Sequence, residues 1–149
     1  MITIQDGNIL NADVDCIVNP VNTVGVMGAG LAKKIANRFP NLQKPYAEAC
    51  KTKELDIGKV WFWQVHGPES LWIANFATKR HYERPSEIEF IESGIPSLIQ
   101  GIRKNGIQSV AIPALGCGLG GLVWPRVKEI IISAFETETD IRVHLYVPK

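Results

Sequence analysis

Two glycine clusters, a pair of asparagines and one lysine are the residues of this 149-residue chain whose types and spacing suit chemistry. Leu115-Gly116-Cys117-Gly118-Leu119-Gly120-Gly121 brings four glycines into a short stretch, and Gly25-Val26-Met27-Gly28-Ala29-Gly30 brings three. Glycines let successive backbone N–H groups converge on an anion, and a following helix adds positive potential from its N-terminus, so a diphosphate can be held without a lysine. Two such loops, each opening a helix, imply two walls of one elongated cleft. Gly116, Gly118 and Gly121 satisfy G-x-G-x-x-G, but a dinucleotide-binding fold needs most of its strands downstream, and the chain runs on only to Lys149. Gly25 and Gly30 have P-loop spacing, yet Leu31-Ala32 stands where Lys-Ser or Lys-Thr is required. Those two readings are set aside.

Asn19 and Asn22 flank Pro20-Val21 after an apolar run. At the carboxyl end of a strand a short amide can donate to and accept from a sugar hydroxyl. Turn chemistry is the plainer reading of Asn19 taken alone and balances the sugar reading for Asn22. Lys79 is followed by Arg80, and both desolvation and a neighbouring guanidinium favour the neutral form of an amine, which can attack a sugar carbon. From spacing alone a solvated loop cation is the plainer reading of Lys79. Arg80, His81, Tyr82 and Arg84 interleave charge with an aromatic, as single-strand platforms do, so that Tyr82 stacks a base while Arg80 or Arg84 meets a phosphate.

The elements that position these residues follow from punctuation and periodicity. Residues 2–5, 14–18, 59–65, 71–76, 109–113 and 141–147 read as strands, the pair at 59–65 and 71–76 joined by a Gly67-Pro68 turn. Helices are expected at 29–38, about 41–55 and from Trp124 or Pro125 to Phe135. The longest follows Ser86-Glu87-Ile88-Glu89, an S-x-x-E capping box, with Pro96 expected to kink it. Strands alternating with helices argue an α/β fold with a largely parallel or mixed sheet. Trp61 and Trp63 share one strand face and are expected to pack into a core.

Composition limits the rest. The formal charge is +1, so no global basic field holds long nucleic acid, and any such contact must be local. No apolar run reaches a membrane span. Cys16, Cys50 and Cys117 form neither a C-x-x-C pair nor a disulfide framework, and the start of the chain has no signal-peptide pattern, which together imply a cytoplasmic protein. His66 and His144 lack convergent ligands, so no metal is expected.

Gly7-Asn8-Ile9, the stretch from Asp15 to Asn22, the Gly25–Gly30 loop and Leu115–Gly121 resemble the macrodomain family in order and spacing over essentially the whole chain. The resemblance implies a three-layer α/β/α sandwich with a central mixed sheet that binds ADP-ribose, residues 1–149 forming one macrodomain, as a module of a longer protein. Asn8 and Ile9 would lie near the adenine; Asn8 stands where many members carry an aspartate. The two glycine loops, with Asn19, Leu31 and Thr78, would hold the diphosphate and distal ribose. Val26 to Leu31 lacks the glycine triplet of the best-known hydrolases, and with Asn75-Phe76-Ala77-Thr78-Lys79-Arg80 it looks more like the lysine-dependent branch. That branch includes the vertebrate terminal ADP-ribose glycohydrolase and the DarG-type DNA ADP-ribosyl glycohydrolases, which are antitoxins to DarT-type toxins. The stretch from Lys79 to Tyr82, Ser86, and Gly116 to Leu122 with Trp124 look closest to the DarG type.

What this implies is removal of ADP-ribose from thymidine in single-stranded DNA, with Lys79 attacking the anomeric carbon, Asn22 holding the distal ribose, and no cofactor. The vertebrate enzyme's catalytic aspartate falls at Gly120, so that role has no counterpart here. A non-catalytic ADP-ribose reader and a hydrolase of glutamate-linked ADP-ribose are the alternatives.

Overall fold

The computed structural model describes residues 1–149. Ten regular elements alternate along the chain: β1 (Ile2–Gln5), β2 (Cys16–Asn22), α1 (Gly30–Arg38), α2 (Gln43–Thr52), β3 (Trp61–Gln64), β4 (Trp72–Lys79), α3 (Ile88–Lys104), β5 (Ser109–Ile112), α4 (Trp124–Phe135) and β6 (Arg142–Tyr146). One six-stranded sheet runs in the order β1-β6-β5-β2-β4-β3. Every neighbouring pair is parallel except β3 with β4, the hairpin around Gly67. The fold is a mixed-sheet α/β/α sandwich.

Alternation along the central strands divides the apolar residues between two layers. Cys16, Val18, Ala74 and Phe76 face α3 and α4, joining Ile91, Leu98, Val127 and Ile131. Ile17, Val21, Ile73 and Ala77 face α1 and α2, joining Ile35, Leu42 and Tyr46. Trp61 and Trp63 pack against this second cluster, whereas Trp72 and Trp124 pack against the first.

Three local expectations are corrected. The strand expected to stop at Val18 continues through Asn19-Pro20-Val21 to Asn22, because β4 pairs with it along its whole length. Its other neighbour, β5, reaches only Ile17, so an edge without a ladder tolerates Pro20. The helix expected at 41–55 is a 3-10 turn, Pro40–Leu42, followed by α2, which stops where Lys53 turns left-handed at φ 62°. The capping box does not form: Glu87 is the residue that caps α3, with no side-chain bond. Ser86 instead donates its backbone N–H to the carbonyl of Gly120 at 3.0 Å. Helix α3 runs unbroken through Pro96.

Candidate functional site

A cavity of about 660 Å³ follows the edge of the sheet where the parallel strands end. Each of the five contributes what comes after it: Gly7 to Ile9 after β1, Gly28 to Ala32 with Lys34 after β2, Tyr82 after β4, Pro113, Ala114 and Gly116 to Gly120 after β5 and Val147 to Lys149 after β6. Parallel strands aligned in one direction bring all these loops to one edge, where open α/β sheets bind ligands.

The first glycine loop is shaped by Asn22. Its amide Nδ2 donates to the carbonyl of Val26 at 2.8 Å, and its Oδ1 accepts from the backbone N–H of Val24 at 3.1 Å and the hydroxyl of Tyr46 at 3.0 Å. Gln43 closes the same turn by donating to the carbonyl of Gly25 at 2.9 Å. Gly25 has φ 88°, and a Cβ there would lie 3.2 Å from Ala47 Cα, so only glycine suits the position. The loop then enters α1 at Ala29, which offers no side-chain cap. Its first backbone N–H groups are left for a ligand, and Gly28, Ala29, Gly30 and Leu31 line the cavity.

Lys79 is the last residue of β4 and stands opposite Asn22 across the parallel ladder, where the register shifts after Val21. The two candidate catalytic side chains are thus neighbours on adjacent strand ends. Nζ of Lys79 donates to the carbonyl of Tyr82 at 3.3 Å. The segment that follows is tied down on both sides. Thr23 donates its hydroxyl to the carbonyl of Arg80 at 2.7 Å, and the Arg80 guanidinium lies 5.2 Å from the centre of the Phe90 ring. His81 and Tyr82 stack with ring centres 4.1 Å apart, and His81 Nδ1 accepts from the backbone N–H of Glu83.

The second glycine loop folds onto Ser86. Gly116 turns at φ 74° with a virtual Cβ 2.6 Å from Leu122, and a Cβ on Gly120 would overlap Ser86 Oγ and lie 2.5 Å from the carbonyl oxygen of Gly116. Ser86 Oγ is buried without a partner. Cys117 lines the cavity half-buried, and desolvation pushes its thiol up to about 11.

Comparison with known proteins fits this geometry. Residues 18–131 match the family described as Macro domain. The chain belongs to that family. This macrodomain is 42% identical to a DNA ADP-ribosyl glycohydrolase of Mycobacterium tuberculosis over 151 residues, covering 99% of this chain and 42% of that protein. It therefore spans about two fifths of the length of that curated relative. It superposes on the macrodomain of Mycobacterium tuberculosis DarG with a TM-score of 0.96 at 41% identity, covering 100% of this chain and 99% of that one. Thermosipho africanus DarTG, solved in complex with ADP-ribose, matches with a TM-score of 0.92 at 36% identity, over 99% of this chain and 41% of that one.

Most of the residues expected at the macrodomain's site line its cavity: Asn8, Ile9, Asn22, Val26, Gly28, Gly30, Leu31, Thr78, Lys79, Tyr82 and Gly116 to Gly120. Asn19, Gly25, Met27 and Gly121 do not. Asn19 is wholly buried; its Nδ2 donates to Asn75 Oδ1 at 3.0 Å and lies 3.6 Å from Met27 Sδ, so both asparagines fix the β2–β4 register beneath the cleft. Arg80, His81 and Arg84 lie outside the lining as well. Nor does α4 open into the cavity, since its first turn begins beyond Gly121. Asn8 lines the cavity while its Oδ1 accepts from the backbone N–H of Leu10. Sequence reasoning missed Lys34, Pro113, Ala114 and the terminal stretch Tyr146 to Lys149. The rule that parallel strands deliver their carboxyl ends to one edge would have found the last two groups, because both lie at the carboxyl ends of β5 and β6, whose cores were expected although each was drawn one residue too long at that end.

Proposed function

We propose that this macrodomain binds ADP-ribose and hydrolytically removes it from thymidine bases in single-stranded DNA, acting as the antitoxin to a DarT-like DNA ADP-ribosyltransferase. One observation carries the reading: Lys79 and Asn22 stand side by side on neighbouring strand ends in a glycine-lined cleft. The names of the relatives supply the reaction. Residues 1–149 act as one macrodomain module of a longer protein, in the cytoplasm, where three free thiols are expected to stay reduced.

The diphosphate lies between the amides at the start of α1 and those of Gly116 to Gly120, which places the distal ribose at the Asn22–Lys79 end. The Lys79 amine attacks the anomeric carbon as the bond to the thymine nitrogen breaks. The base leaves with the bonding pair and receives the proton that the amine sheds. One water then cleaves the lysine–sugar adduct, returning the amine and releasing ADP-ribose. Asn22 shapes the loop that orients the ribose. The steps call for no cofactor or metal, and none uses Glu83, Glu87 or Glu89, which lie outside the cavity.

The test is release of ADP-ribose from a thymidine-modified single-stranded oligonucleotide. Lys79→Ala is expected to lower turnover by several orders of magnitude while keeping affinity for free ADP-ribose, since backbone amides hold the diphosphate. Lys79→Arg should fail equally, because a guanidinium stays protonated. The lysine–sugar adduct opens its ribose ring to an imine, so borohydride added during turnover should trap it as a secondary amine on the wild type only. Full activity in Lys79→Ala would mean an enzyme with another nucleophile, whereas a wild type that binds ADP-ribose but releases none would be a reader.

A further inference from the structure

Seven large apolar side chains are exposed on this molecule, and five of them, Val24 (45%), Val26 (46%), Tyr82 (52%), Leu119 (73%) and Val123 (67%), sit on the three loops that frame one cavity. Single exposed apolar residues are ordinary, but a group converging on a ligand cleft is a contact surface. We propose that these five form an apolar collar that takes unstacked bases of the single-stranded substrate, Val26, Tyr82 and Leu119 meeting the modified thymine and the outer Val24 and Val123 its flanking neighbours; this rests on the DNA reading above.

Three observations support bases as the occupant. Val26, Tyr82 and Leu119 belong to the cavity wall itself, so the collar continues the binding site. Leu119 reaches across the mouth to within 3.9 Å of the Cβ position at Gly30, linking the two glycine loops. Lys79 Nζ bonds to the carbonyl of Tyr82, so whatever is joined to the sugar carbon at Lys79 leaves the cavity past the collar. A planar base matches such a surface. The segment between residues 79 and 92 offers phosphates no net positive charge, since Lys79, Arg80 and Arg84 are offset by Glu83, Glu87, Glu89 and Glu92. Substrate recognition is therefore carried by stacking and apolar contact, with little counterion release.

The experiment compares ADP-ribose release from a thymidine-modified single-stranded oligonucleotide with release from the modified mononucleoside, across a salt series, alongside calorimetry with free ADP-ribose. Wild type is expected to favour the oligonucleotide in kcat/KM by about tenfold or more. Its log–log salt slope should be no steeper than about −1, since each phosphate neutralised on a single strand adds about −0.7. The double variant Val24→Ser/Val123→Ser, whose residues lie outside the cavity wall, should raise KM for the oligonucleotide about fivefold or more. It should leave mononucleoside turnover and the Kd for ADP-ribose unchanged. The collar is overturned if wild type shows no oligonucleotide preference, if the slope is steeper than about −2, or if the double variant keeps the preference. It is equally overturned if the variant loses only affinity for a transferase protein. Wild type that releases ADP-ribose from neither substrate overturns the DNA reading and the collar together; turnover without preference overturns the collar alone.

Discussion

Asn22 both holds a loop and lines the cavity. Its amide joins Val26, Val24 and Tyr46, so the first glycine loop is held from the end of a central strand. Asn22→Ala leaves the Val26 carbonyl without this partner and is expected to destabilise the fold by about 1–3 kcal/mol. It should weaken ADP-ribose binding about tenfold or more, as read by urea denaturation and calorimetry. Unchanged affinity would remove Asn22 from the site. Cys117 gives a second residue-level prediction. Desolvation pushes its thiol up to about 11, so the thiolate is scarce at pH 7.5, and alkylation by iodoacetamide should be slower than for a free cysteine. Because Cys117 lines the cavity, ADP-ribose should slow alkylation further. Rapid labelling indifferent to the nucleotide would contradict that placement. The asparagines and the lysine were visible in the sequence as residue types. Their adjacency was not, because it depends on the pairing of strands more than fifty residues apart.

At the scale of elements, helix α3 packs onto the sheet through two of its glycines. A Cβ on Gly94 would overlap the Phe76 ring, and one on Gly101 would overlap Phe62, so the helix approaches β4 and β3 closely only because both positions lack side chains. Gly94→Ala and Gly101→Ala should each destabilise by about 1–3 kcal/mol through overpacking, despite alanine's better helix propensity. A rise in Tm in either variant would contradict this packing. Element types were legible in the sequence because the periodicities of α3, β4 and α4 are strong. The start of α3 was not, since Ser86 bonds through its backbone to Gly120, thirty-four positions away in sequence, instead of capping its own helix. A local S-x-x-E pattern carries no trace of that competing partner.

The whole molecule supplies two further tests. A ligand that binds only the folded state stabilises it by about 2.7 kcal/mol at one hundred times Kd, which for a chain of this length raises Tm by roughly 5–10 °C. ADP-ribose should produce that shift, and AMP at equal concentration a smaller one; equal shifts would mean that the distal loops do not contribute. The Arg103 guanidinium bridges Glu138 at 2.6 Å and Asp140 at 2.9 Å and holds the Asp140 carboxyl below the usual carboxylate range. A lowered carboxyl pKa contributes stability above its unfolded value, near 3.9, and loses it as pH falls through the native value. The difference between wild type and Arg103→Ala should therefore be present at pH 7, small because the groups are exposed, and close below about pH 4. A difference that grows at pH 3 would contradict the pairing.

The sequence by itself determined the α/β class, the two glycine loops and the kind of ligand they suit, because glycine spacing and apolar periodicity act locally. It also marked Lys79 and Asn22 through the order of motifs along the chain. Only the tertiary structure decided that Lys79 stands beside Asn22, that Asn19 and Gly25 support the cleft from behind its wall, and that Tyr146 to Lys149 line it. It also placed exposed valines around the mouth, where the apolar core cannot account for them. These are consequences of parallel strands ending at a common edge. The edge is set by hydrogen-bonded register between distant segments, and no window of the sequence contains both partners.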